Sequence, residues 1–334
     1  MSVAPSGNAL PQGLTYDERG LVAQGVVARQ IADHHVEPRQ GRMIRTCSFD
    51  YLAGNTMFSM HLAEIPPGGF KCNHRHLDET MGYIASGSGF SLYHQDDEKA
   101  DLEIRWTAGD VIVTPCNAFH KHCNGSETES ARQLSFRNSP FMRNTLHGDK
   151  PNFNLSDTLY NLDARFTSRF NDEPDYFELH EEVRPGLIRT NYISQIVNAP
   201  IPGKDPVLGD RVGMQRYLMG GQRTLDVALL AIDRGGNTHP YRPLGEESLV
   251  VLAGSGHTLM TGKGQELHVE WQAGDLVSTP LGLTRSHHAD HDEEVRMLWV
   301  RNVAIDRALG YTDFPTLQSD EPERFPALVE AGRV

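Results

Sequence analysis

Three histidines have the type and spacing to hold a metal ion. His74 and His76 stand two residues apart in GGFKCNHRHLDETMGYIASGSG, residues 68–89. On a β-strand that spacing turns both side chains to one face. His120 follows Gly109, Asp110 and a turn signal at Pro115, which can bring it onto a neighbouring strand. Three imidazoles meeting on one inward face make a facial site with open positions. Such a site suits a divalent ion that must also take substrate or oxygen, and imidazole alone does not choose among Fe, Zn, Cu and Ni.

Other groups lie within reach of that site. His122, two residues beyond His120, shares its face on a regular strand, either lining a pocket and donating to a substrate or as a plain polar residue. Gln133 and Arg137 fall on the run that follows and could bind a substrate carboxylate. Arg137 also reads as a buried structural arginine, because Arg137-Asn138 recurs as Arg301-Asn302. Arg75, between the first two histidines, is expected to point outward. Cys72 and Cys116 flank the histidines. Nothing in the sequence lowers their pKa, so inert buried thiols are expected.

The elements that must position these residues occur twice. Residues 106–115 read WTAGDVIVTP and residues 271–280 read WQAGDLVSTP. The offset, 271 − 106 = 165, also carries His74 to His239, His120 to Arg285 and His122 to His287. Two related domains follow, since a solenoid needs shorter and more numerous repeats. Each half is patterned as short runs bounded by Gly, Pro, Asn or Asp, such as Met81 to Ile84, Phe90 to Tyr93 and Leu276 to Thr279. This predicts an all-β chain of sandwiches or barrels with minor helices. Residues 1–40 are expected as an N-terminal extension that the repeat does not explain. Residues 41–183 are expected as the first barrel, with the metal site and a following helical or loop linker; residues 184–334 as the second barrel and an irregular tail.

Composition narrows the partners. Lys and Arg total 31 against 44 Asp and Glu, a formal charge of −13. That balance argues against nucleic acid, whose readers carry a basic patch, and against a polybasic membrane surface. No apolar run approaches the roughly 18 residues of a membrane span, and the start lacks a secretory pattern. Four cysteines without a CxxC pair point to a reduced, cytoplasmic protein and away from a four-cysteine zinc site.

The histidine stretches resemble the two motifs of the cupin superfamily. Gly68, His74, His76 and Gly87 fit the first; Gly109, Pro115, His120 and Asn124 fit the second, with Asn117 where glycine is usual. With the repeat, the resemblance implies a bicupin, two cupin β-barrels (double-stranded β-helices) in one chain. Thr80 stands where the motif usually has glutamate. Glu79, one residue earlier, faces the other side of a regular strand unless a bulge turns it inward. The implied ligands are then His74, His76 and His120 alone. Three neutral imidazoles leave a divalent ion its full charge, which favours an anionic chelating substrate such as a phenolate with an adjacent oxygen donor.

The chain further resembles the bicupin ring-cleaving enzymes similar to gentisate 1,2-dioxygenase. The resemblance rests on the three-histidine set in the first half, on His120-Lys121-His122 after a TP turn, and on the late Ala308-Leu309-Gly310-Tyr311. Tryptophans common near that family's second motif are absent beside His120. The resemblance implies an Fe(II)-dependent dioxygenase cleaving a gentisate- or hydroxybenzoate-like ring, with Mn, Ni or Zn as the other candidate metals. It also implies an aromatic small molecule and O2 as partners and a homo-oligomer; His122 and Glu79 are the candidate catalytic residues. Two alternatives stand beside it. One is a non-oxidative metal-dependent isomerase, lyase or hydrolase with Glu79 as base or ligand. The other is a non-catalytic cupin binding protein. The second half reads as a degraded copy: His239 remains, Tyr241 replaces the second histidine, Glu247 takes the carboxylate position, and Arg285 replaces the last histidine. A guanidinium cannot ligate a metal. A barrel kept for packing is expected there, or a small anion pocket of Arg285, Tyr241 and His239.

Overall fold

A computed structural model of the chain describes residues 25–303, apart from 40–42, 50–51, 55–58, 77, 95–101, 117, 141–174, 221–223 and 263. The start of the expected extension, most of the linker, Asn117 and the stretch from Ala308 to Tyr311 lie outside the described residues.

The strands of the first half are β1 (Val27–Ala28), β2 (Glu37–Pro38), β3 (Arg45–Ser48), β4 (Ser59–Ile65), β5 (Phe70–His74), β6 (Thr80–Ser86), β7 (Ser88–His94), β8 (Leu102–Thr107), β9 (Val111–Thr114), β10 (Phe119–Asn124) and β11 (Ala131–Arg137). Those of the second half are β12 (His180–Arg184), β13 (Leu187–Thr190), β14 (Tyr192–Ile193), β15 (Val212–Leu218), β16 (Leu225–Ile232), β17 (Glu247–Ala253), β18 (Ser255–Gly262), β19 (Gln265–Gln272), β20 (Leu276–Thr279), β21 (Thr284–Ala289) and β22 (Val295–Asn302). Barrel 1 sets a sheet of order β14-β9-β6-β11-β4-β3-β2 against one of order β5-β10-β7-β8. Barrel 2 sets β1-β20-β17-β22-β16-β15-β13-β12 against β19-β18-β21.

Side-chain alternation sorts residues between the barrel interiors and the seam that joins them. On β11, Leu134 and Phe136 enter an apolar cluster with Leu62 of β4 and with Leu229, Leu298 and Val300 of barrel 2. Gln133 and Ser135, one residue out of phase, are buried on the opposite, inward face. Ala63, Ile65, Ile84, Tyr93 and Trp106 fill the inside of barrel 1, and Leu249, Val251, Trp271, Met297 and Trp299 fill barrel 2. The β6–β7 and β17–β18 corners turn on Gly87 (φ 76°) and Gly254 (φ 81°), a backbone conformation that glycine adopts without strain.

The repeat reaches further than the motifs suggest, into the segment expected to lie outside it. Val27 and Ala28 of β1 pair with Val277 and Leu276 in barrel 2, while Tyr192 and Ile193 of β14 pair with Ile112 and Val111 in barrel 1. Every one of those positions is related by 165. Each half therefore lends an N-terminal arm to the other half's barrel. Both arms then turn on a glutamine with φ 47°, Gln30 and Gln195. The Gln30 backbone N–H donates to Asp275 Oδ1 at 3.0 Å, and that of Gln195 to Asp110 Oδ1 at 2.9 Å. The aspartate of the repeated Gly-Asp also accepts from its own turn, from Thr107 N at 2.9 Å and Gln272 N at 3.1 Å. The motif thus closes one barrel's turn and anchors the other half's arm.

One local expectation changes. Where a helical or loop linker was expected up to residue 183, His180–Arg184 pairs with Leu187–Thr190 as an antiparallel hairpin.

Candidate metal centre

Strands β5 and β10 run antiparallel, with His74 opposite His120 and Lys71 opposite His122. Three steps along β5 thus match two along β10, a bulge that re-aims the end of β5. His76 follows just beyond that end. One ring nitrogen from each of His74, His76 and His120 lies within 4.8 Å of the other two. Ring centroids are 4.2 Å apart for His74 and His120, 4.8 Å for His76 and His120, and 5.6 Å for His74 and His76, with the planes tilted by 53° to 78°.

The hydrogen bonds behind the rings fix their tautomers. Nδ1 of His74 meets the Cys72 carbonyl at 2.8 Å, Nδ1 of His76 the Asp78 carbonyl at 3.3 Å, and Nδ1 of His120 the Ala118 carbonyl at 3.0 Å. A carbonyl oxygen only accepts, so each Nδ1 carries the proton and each Nε2 carries the lone pair. Metal-binding histidines are oriented by this kind of outer bond. Burial, followed by the charge of Arg137, holds the His76 pKa well below the ordinary imidazole value, which keeps the ring neutral. The donor set and its tautomers fit a divalent metal ion.

Glutamate and threonine take the sides that strand alternation assigns. Thr80 pairs with Thr114 and Arg137, as Glu247 pairs with Thr279 and Arg301, so Thr80 occupies in barrel 1 the place of a buried carboxylate in barrel 2. Glu79 is not brought to the histidines. Its Oε2 accepts from the backbone of Thr224 (2.8 Å) and Leu225 (3.1 Å) and from the Thr224 hydroxyl (2.7 Å), at the start of β16. No bulge turns it inward.

His122 is buried beside the centre, its ring centroid 5.4 Å from that of His120. Its Nδ1 lies 2.7 Å from Ser91 Oγ, which accepts from Trp106 Nε1 at 2.9 Å. Gln133 and Thr80 face the interior, and Gln133 Oε1 and Thr80 Oγ1 are buried without a hydrogen-bond partner. The structure binds Arg137 to Asp78, a fully buried carboxylate that Ser139 also contacts, so this guanidinium braces the residue whose carbonyl orients His76. The Cys116 thiol is pushed up to about 12 by burial, then by the charges of Glu79 and Asp78, as an inert thiol requires.

In barrel 2 the equivalent centre is closed. Arg285 donates from Nη1 to Glu247 Oε1 at 3.0 Å, with both side chains fully buried. The same oxygen accepts from Tyr241 (3.0 Å) and Thr279 (2.9 Å), and Oε2 accepts from Trp299 Nε1 at 3.0 Å. Arg285 and Tyr241 are thus committed to Glu247, which removes the anion pocket considered for them.

Sequence reasoning missed Ser91, Trp106 and the buried Lys71, which faces His122 across the sheet. Trp106 was in view as the first residue of the repeated motif, but its contact needs the β7–β8 register.

Residues 61–136 match the family model described as cupin domain, a span that holds all three histidines. No curated protein matches the chain by sequence. Among solved structures, salicylate 1,2-dioxygenase from Pseudaminobacter salicylatoxidans aligns at TM-score 0.55 and 17% identity, over 77% of this chain and 74% of that one. The same enzyme in adduct with gentisate aligns at TM-score 0.59 and 16% identity, over 82% and 77%. Oxalate decarboxylase from Bacillus subtilis aligns at TM-score 0.53 and 14% identity, over 84% and 78%. Residues 61–136 thus carry a cupin domain match, and the two repeated barrels give the chain the bicupin fold.

Proposed function

We propose that the chain is an Fe(II)-dependent dioxygenase that cleaves a hydroxylated, gentisate- or hydroxybenzoate-like ring at the three-histidine centre of barrel 1. One observation carries this reading: three histidines with protonated Nδ1 converge, and among the described residues Thr80 stands where barrel 2 has the carboxylate of Glu247. His74, His76 and His120 would hold a divalent iron, which would supply the redox chemistry with dioxygen and an undiminished positive charge toward an anionic phenolate.

The chain's own residues bind and orient the substrate. Barrel 2 fills its interior with Leu249 and Trp299, a directly paired couple; the corresponding pair in barrel 1 is Gly82 and Ser135. An indole and an isobutyl group are absent, which suits occupation by a single aromatic ring. Gln133 Oε1 and Thr80 Oγ1 supply polar contacts to that ring's substituents, and satisfying them on binding favours a hydroxylated substrate over a bare one. His122 lines the same space. Arg137 acts through Asp78 and His76, and Glu79 through the barrel seam, both as supports of the centre.

Iron content of the protein as isolated, paired with oxygen uptake over gentisate, salicylate and hydroquinones, tests the reading. Uptake that depends on His74, His76 and His120 supports it. Turnover without oxygen, or tight retention of Mn, Ni or Zn with no uptake, favours the non-oxidative alternative; metal retention with no turnover favours a binding protein. A homo-oligomer in the cytoplasm completes the proposal, and sedimentation velocity reads the first part.

A further inference from the structure

The two barrels share a hydrogen-bonded chain that the metal chemistry does not itself require. In barrel 2, Trp271 Nε1 donates to Thr258 Oγ1 at 2.9 Å, and Thr258 Oγ1 lies 2.8 Å from His287 Nδ1. His287 Nε2 lies 2.8 Å from the Tyr241 hydroxyl, which donates its only hydrogen to Glu247. The protons are therefore fixed one by one. Tyr241 has no hydrogen left for His287, so its oxygen accepts and His287 Nε2 must carry the proton. Nδ1 of the neutral ring then accepts, so the Thr258 hydroxyl donates to it, as it is free to do because its oxygen receives Trp271. Neutral His287 agrees with its environment, since burial lowers its pKa to about 4.

Barrel 1 repeats the first three members. Trp106 Nε1 donates to Ser91 Oγ, and Ser91 Oγ meets His122 Nδ1 at 2.7 Å. Tryptophan and histidine are each related by 165, and serine stands in register for threonine. Glycine opens the space for the indole in both barrels: a Cβ at Gly89 or Gly256 would overlap Trp106 or Trp271. The chain ends differently. The residue that receives His287 Nε2 is Tyr241, and its counterpart at the same offset is His76, a member of the metal centre.

We infer that Trp106 and Ser91 are positioning residues that hold His122 in the Nε2-protonated tautomer, so that His122 offers the metal centre a hydrogen-bond donor rather than a base or a fourth ligand. The functional consequence rests on the proposed reaction: a donor beside the three histidines can bond to a substrate oxygen or to negative charge that develops on it. This tautomer is opposite to that of His74, His76 and His120, whose Nδ1 atoms face carbonyls. The site thus combines three rings set to ligate with one set to donate, and the difference lies in what meets Nδ1.

Long-range proton–nitrogen NMR on 15N-histidine-labelled, Zn(II)-loaded protein tests the tautomer without any turnover. The His122 signals are assigned by their loss in His122→Gln. A pyridine-type Nδ1 and a pyrrole-type Nε2 are expected for His122, with His287 showing the same pattern as an internal standard. Ser91→Ala should shift His122 toward a mixture, and Ser91→Thr should restore it, because Thr258 does this work in barrel 2. Trp106→Phe is the second variant if Ser91→Ala does not fold. With a substrate in hand, Ser91→Ala should lower kcat about tenfold or more with little change in KM, and Ser91→Thr should recover it. A pyrrole-type Nδ1 on His122, or an unchanged pattern in Ser91→Ala and Trp106→Phe, overturns the inference. Absence of any ring cleavage sinks the dioxygenase reading and leaves the tautomer result to stand or fall alone.

Discussion

Replacing Arg285 by Met in barrel 2 should strongly destabilise the protein, and a second change should reverse most of the damage. The guanidinium and the Glu247 carboxylate are both fully buried and 3.0 Å apart. At that separation, with an effective dielectric constant of about 20, their attraction is roughly 5 kcal/mol, partly offset by the cost of removing both charges from water. Arg285→Met leaves a buried carboxylate without its cation and should cost about 3–5 kcal/mol. Glu247→Gln should cost a similar amount, eased because Arg285 Nη2 also reaches the carbonyls of Pro280 (3.2 Å) and Leu283 (3.3 Å). The double variant buries no net charge, and its glutamine oxygen can still accept from Tyr241 or Trp299. It should lie within about 2 kcal/mol of the parent. Urea unfolding of all four proteins gives the coupling energy directly. Thermal midpoints should drop by on the order of 10 °C in the single variants. Metal bound per chain should stay unchanged in any variant that folds, since barrel 2 supplies none of the three histidines. A single Arg285→Met within about 1 kcal/mol of the parent, or a double variant no better than the singles, would refute the argument that this pair replaces an ion as the centrepiece of barrel 2.

Other outcomes follow from the same geometry. His76→Ala and His120→Ala should each weaken metal retention by on the order of a hundredfold or more, read by elemental analysis after dialysis against chelator, whereas His239→Ala should not. His287 should make stability pH-dependent. Its folded pKa of about 4 lies below the ordinary 6.5, so its contribution is complete above pH 6.5 and is lost as pH falls toward 4, by up to about 3 kcal/mol; urea titrations from pH 7 to 4.5 should show a slope that His287→Gln reduces. Arg137→Leu should cost about 3–5 kcal/mol by stranding the buried Asp78, a loss visible by calorimetry without substrate. Gly82→Ala would drive a methyl group into the Gln133 amide, the movable end of a side chain, so KM should rise severalfold while the melting temperature stays close to that of the parent.

The repeated WTAGD and WQAGD marked two related β-rich halves, and the histidine motifs, through their resemblance to cupins, made these two barrels and named the residues that converge in one of them. Alternation alone separated Thr80 from Glu79. What stayed hidden depends on register. The bond from Trp106 to Ser91 joins neighbouring strands whose alignment no local pattern states. The destination of the Glu79 carboxylate lies 145 residues away at Thr224. The arms were hidden for a different reason. Gln30-Ile31 and Gln195-Ile196 obey the 165 offset, but a match of two residues in a polar segment is too short to notice before the barrels are known. The Glu247–Arg285 pair was visible as two substitutions in a ligand set, yet only their 3.0 Å contact shows that one change answers the other.

The exchange of arms bears on how such a chain can arise. A single barrel that lends its N-terminal arm to a second copy is a two-fold, domain-swapped dimer. Joining two such copies end to end yields this topology, with β1 lodged in barrel 2 and β14 in barrel 1. Fusion would release one copy from the duty of chemistry but not from the partnership. Barrel 2 can give up its ligands to tyrosine and arginine, yet it cannot be lost, because the strand that borders β9 in barrel 1 comes from its half of the chain. The half whose centre is the Glu247–Arg285 pair thus remains a donor of structure to the half that holds the three histidines, on a frame that keeps the two-fold of its repeat.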